Sequence, residues 1–66
     1  MQSDSAAKDV LATYREVLSR EREEILAYRA AVRVYKGHHP TVRDRAARQT
    51  VDSILRANFL RQGGVR

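Results

Sequence analysis

A chain of 66 residues with a net charge of +5 and no cysteine is at most one domain, and neither a disulfide nor a thiolate zinc site can staple it. A domain this short buries only about 60% of the surface its unfolded chain exposes, so a partner chain is the expected source of additional stability. No apolar run approaches the ~20 residues that cross a bilayer. No signal-peptide core is visible, and Asp4 and Asp9 interrupt the N-terminal stretch as a transit peptide.

Charge is unevenly placed. Residues 1–28 carry four basic and six acidic groups, a net of −2, whereas residues 29–66 carry nine basic and two acidic groups, a net of +7. The C-terminal half is therefore expected to attract an acidic surface of a protein, a nucleic acid or a membrane.

Ser3, Asp4 and Ser5 are N-cap candidates, and neither Gly nor Pro interrupts the chain from Ala6 to Lys36. Helix 1 is expected over about residues 5–36. Leu11, Leu18, Ile25 and Val32 recur every seven residues, with Tyr14, Glu21, Tyr28 and Tyr35 forming a second row three residues further on. Together they occupy the a and d positions of a heptad. Arg15, Arg22, Arg29 and Lys36 line one flank at the same spacing. Glu21 lies in the apolar row and Arg20 to Glu24 are all charged, so a break near residues 20–24, giving three helices, is the alternative to a continuous helix.

Residues 37–41 read as a turn. Gly37 suits a C-cap with positive φ, Lys36 suits the negative end of the helix dipole, and Thr41 with Asp44 resembles a capping box. Helix 2 is expected over about residues 42–62, with 63–66 as a frayed tail beginning at Gly63. Ala47, Val51, Ile54, Leu55 and Asn58 share one face, and Val42, Ala46, Ala57 and Leu60 lie on the other. The expected fold is thus a single all-α domain, an antiparallel helical hairpin with a surface left over for a third helix or another chain.

The residues give little support to chemistry. His38 and His39 are adjacent rather than at the i, i+3 or i+4 spacing that converges ligands on a helix, and solvent-exposed turn histidines are the plainer reading. A Glu-x-x-His pair is missing, since Ala27 follows Glu24 at the third position. No cysteine nucleophile, Ser/His/Asp arrangement or phosphate loop is present. The expectation is a non-enzymatic chain with no cofactor and no metal. Its candidate site residues are an apolar set, Leu11, Tyr14, Leu18, Ile25, Tyr28, Val32, Tyr35 and Leu60, and a basic set, Arg15, Arg22, Arg29, Arg33, Lys36, Arg43, Arg45 and Arg48.

The segment Val10-Leu11-Ala12-Thr13-Tyr14-Arg15-Glu16-Val17-Leu18, followed by Arg22, resembles the opening helix of the mitochondrial LYR-motif proteins, small basic helical adaptors. Tyr14 and Arg15 match the family's Leu-Tyr-Arg triplet, and Thr13 stands where the family has Leu. Tyr35 in Arg33-Val34-Tyr35-Lys36 could take the place of the family's Phe, and residues 54–63 look like the closing helix of some members. The resemblance implies three helices and an adaptor or accessory subunit of respiratory complexes or iron–sulfur machinery on the mitochondrial matrix side. It also implies that Arg15, Arg22, Arg29 and Lys36 face an acidic acyl carrier protein. Without it, the expected compartment is cytoplasmic. Two other readings share the hairpin shape: a self-associating four-helix-bundle dimer acting as a small co-chaperone, and an RNA- or DNA-binding regulator.

Overall fold

The computed structural model describes residues 5–63, with side chains described through Asn58. It is all-helical: α1 spans Ser5–Glu21, α2 Glu24–His38 and α3 Asp44–Gly63.

Along α1 the residues that reach the interior recur every four positions. Ala6, Val10 and Tyr14 are buried, and Val17 and Leu18 are half-buried beyond them. The helix then stops without glycine or proline. Arg22 takes the left-handed conformation at φ 58°, and its N–H donates to the Leu18 carbonyl at 2.9 Å. That bond closes the last turn of α1 in the way an αL C-cap does. Glu23 follows in an extended conformation, φ −127° and ψ 118°, and opens α2 with no capping bond from its side chain.

The continuous helix expected over residues 5–36 therefore does not form; the alternative break near residues 20–24 does, at Arg22 and Glu23. A non-glycine residue in the left-handed region costs about 1–2 kcal/mol. Folding α1 back onto α2 offsets this by burying the facing stripes of both helices.

The two helices are antiparallel. At the end remote from the joint, His38 Nε2 lies 2.8 Å from Asp9 Oδ2. Between them the contact is made by small residues: Ala27 and Ala31 are 0% exposed. Alanine at these positions lets the helices come close and makes room for Val10 and Tyr14 of α1 in the seam, while the larger side chains of α2 pack around it.

α2 runs two residues past Lys36. Gly37 lies inside the helix, and no described glycine has positive φ, so the C-cap role expected of Gly37 is not taken. The cap is His39, whose N–H donates to the Tyr35 carbonyl at 3.0 Å. The turn then passes through Pro40 and Thr41, with the Val42 N–H donating to the His39 carbonyl at 3.1 Å. α3 begins at Asp44, two residues later than expected. The carbonyl of Arg43, not Thr41, accepts the first bond, from the Ala47 N–H at 2.8 Å.

α3 lies over both other helices. Ala47, Val51 and Leu55 are buried, and Ile54 and Asn58 are half-buried, as the sequence pattern predicts for that face. Ala46 and Ala57 on the opposite side are exposed, and Val42 is half-buried in the turn. Val10, Tyr14, Ala27, Ala31, Val51 and Leu55 form one core to which all three helices contribute. The molecule is flat, with Cα extents of 38 × 32 × 18 Å.

The joint also overturns the heptad stripe. Two non-helical residues reset the direction of the chain, so the rows on α1 and α2 no longer continue one another. Leu11, Leu18, Tyr28, Val32 and Tyr35 are half-buried around the core and Tyr14 is inside it. Ile25 is 58% exposed. Leu60 lies outside the described side chains, as Ser3 and Asp4 lie outside the described residues.

Candidate binding groove between α2 and α3

An open groove runs between α2 and α3, lined by Leu26, Tyr28, Arg29, Ala30, Val32, Arg33 and Lys36 from α2 and by Asp44 and Arg48 from α3. Arg29, Arg33 and Lys36 recur at i, i+4 and i+7, which places them along one side of a helix. Arg48 faces them from the other wall. Leu26 is 40% exposed and Val32 half-buried, so an apolar strip runs among the cations.

Two contacts fix the walls. The Tyr28 hydroxyl donates to the Arg48 carbonyl at 3.3 Å. Lys36 Nζ donates to Asp44 Oδ1, and this contact holds the Asp44 carboxyl below its ordinary range, through the hydrogen bond first and the lysine charge second. Arg29 and Arg33 enter no ion pair among the described residues. Four cations against one paired carboxylate leave the groove positively charged.

On the other side of Tyr28 a second hollow is lined by Tyr14, Glu24, Ile25, Tyr28, Asp52, Leu55 and Arg56. Both phenols have raised pKa values. For Tyr14 the causes are burial, then the Glu24 charge and its hydrogen bond. For Tyr28 they are burial, then the Asp52 charge, opposed by the charge of Arg48. Both hydroxyls therefore stay protonated at physiological pH.

The basic residues singled out from sequence separate into two groups. Arg29, Arg33, Lys36 and Arg48 meet in the groove. Arg15, Arg22, Arg43 and Arg45 are exposed but do not line it. Because the joint intervenes at Arg22, the row Arg15, Arg22, Arg29, Lys36 is not one continuous edge. Sequence reasoning missed Leu26 and Ala30, although Leu26, Arg29, Arg33 and Lys36 share helical spacing that could have revealed them. The two histidine rings have centroids 6.5 Å apart and take different partners: His38 contacts Asp9, and the His39 ring packs at a tilt against Tyr35 with centroids 4.7 Å apart. Among the described residues no three His, Asp or Glu side chains could hold a metal ion, and no helix is long and apolar enough to cross a membrane.

Comparison with protein-family models, with curated proteins and with solved structures finds no match to this chain.

Proposed function

We propose that this chain is a non-enzymatic helical adaptor that docks an acidic protein surface in the groove between α2 and α3. The observation that carries the reading is the convergence of Arg29, Arg33, Lys36 and Arg48 around Leu26 and Val32. Guanidinium groups match carboxylates in bidentate geometry. Such charges steer encounter and fix register, while an apolar strip among them supplies burial. An acidic amphipathic helix presents both features on one face.

One detail favours a protein over a nucleic acid. The Tyr28 hydroxyl is engaged with the Arg48 carbonyl, so the ring is held in the groove wall rather than free to stack on a base.

The resemblance at Tyr14, Arg15 and Arg22 points to an acyl carrier protein as the acidic partner, and to an accessory or assembly role in a mitochondrial respiratory complex. A three-helix chain with a basic groove is compatible with that role. Calorimetric titration with an acyl carrier protein at rising salt tests it. Binding is expected to weaken with salt, and R29E/R33E is expected to lose at least about tenfold in affinity, on the order of 1.4 kcal/mol. Unchanged affinity in the double variant would contradict the groove assignment. Tighter binding to a duplex RNA than to any acidic protein would contradict the choice of partner.

A further inference from the structure

We infer that this chain exchanges α1 between two copies, with Arg22 and Glu23 straightening so that residues 5–38 become one helix. The joint has the features of a strained hinge. Its left-handed residue is Arg22, at φ 58°, where glycine would be at ease. Glu23 offers no side-chain cap to the first turn of α2. The amides of Glu23, Glu24, Ile25 and Leu26 are the N-terminal donors of α2, and in a continuous helix each acquires a carbonyl four residues back. A hinge of two residues cannot relax the strain by wandering, and short strained hinges favour exchange of an element between protomers.

The sequence on either side is written for the straight form as well as for the bent one. Leu11, Leu18, Ile25 and Val32 keep a seven-residue spacing across the joint. In the bent form that register is lost and Ile25 is left 58% exposed. In a straight helix about 50 Å long Ile25 rejoins the row. α1 of one copy lies on α2 of the other, so Val10 and Tyr14 meet Ala27, Ala31, Val51 and Leu55 again. The α2–α3 groove lies wholly on one side of the hinge. It is carried unchanged into the exchanged dimer, which presents it twice, so this inference is independent of what the groove binds.

Asp9 and His38 meet across the α1–α2 interface at 2.8 Å, and the chain has no cysteine. Copies carrying D9C are unfolded together with copies carrying H38C, refolded over a range of concentrations, and treated with a short thiol crosslinker. Exchange gives a covalent dimer of one chain of each kind. Its yield rises with concentration and in R22A/E23A, which places good helix formers at the hinge. It falls at least about tenfold in R22G, because the left-handed penalty is removed from the bent form. Monomers alone at every concentration would overturn the inference. So would a dimer by light scattering without the mixed crosslink, or an equal yield in R22G and R22A/E23A.

Discussion

The substitution R22G carries opposite signs for a bent and a straight chain. In the bent monomer Arg22 sits at φ 58° with its N–H bonded to Leu18. Glycine removes a penalty of about 1–2 kcal/mol at such a site. It also enlarges the unfolded ensemble, which costs about 0.4–1 kcal/mol. The net expectation is a stabilisation of about 0.5–1 kcal/mol. Were residue 22 inside a continuous helix, the same change would destabilise by about 0.8–1 kcal/mol. With no tryptophan in the chain, urea unfolding is best followed by far-UV circular dichroism. It should be done at low micromolar concentration, where exchange between copies is least favoured. For a denaturant slope of about 1 kcal/mol/M, the midpoint should rise by about 0.5–1 M with the slope unchanged. A lower midpoint would refute the left-handed joint.

G37A is expected to stabilise by about 0.5–1 kcal/mol in the same assay, because Gly37 is helical and a β-carbon there meets nothing within 4 Å; destabilisation would mean a left-handed cap instead. E23S supplies a side-chain acceptor to the uncapped first turn of α2 and should add about 1 kcal/mol by urea midpoint. V51A removes two methyl groups from a fully buried side chain and should cost about 2–3 kcal/mol, which calorimetric melting would register as a sharply lower Tm. Asp44 is an acid whose folded pKa lies below its ordinary 3.8, so its contribution is present above that pH and lost as pH falls through the lower folded value. The acid limb of a stability–pH profile below pH 3.8 should therefore be shallower in D44N. The phenols of Tyr14 and Tyr28 are raised above 10.0, so their contribution is present below that pH and lost as pH rises through the folded values. Phenolate absorbance should accordingly show two late-titrating tyrosines that move to lower pH on unfolding.

Helix content, the turn after Lys36 and the inward face of the third helix were legible because each follows from local rules. Ala47, Val51, Ile54, Leu55 and Asn58 share a face by spacing alone, and that face is inward. The joint was half legible: Glu21 in the apolar row and the run of charges from Arg20 to Glu24 marked residues 20–24 as the alternative break, but nothing local there requires one. Arg22 and Glu23 are ordinary helix residues whose bend is decided by the long-range contact of Ala27 and Ala31 with Val10 and Tyr14. The same contact explains why the apolar stripe of α1 does not run on into α2. A heptad reading weights Leu and Ile, but a close helix pair selects alanine at its seam and leaves Ile25 outside. Gly37 misled in the other direction: glycine permits a left-handed cap without requiring one, and α2 passes through it. The groove was half legible. Its cations were found as residue types, but only the path of α3 back along α2 brings Arg48 opposite Arg29 and Arg33.

The docking claim is tested most directly by residue-resolved NMR titration of the whole chain with an acyl carrier protein, reading backbone amide shifts and their salt dependence. The groove reading predicts perturbations concentrated between Leu26 and Lys36 on α2 and around Asp44 and Arg48 on α3, diminishing as salt rises. Perturbations confined to α1, or spread evenly over the exposed arginines including Arg15, Arg43 and Arg45, would contradict it.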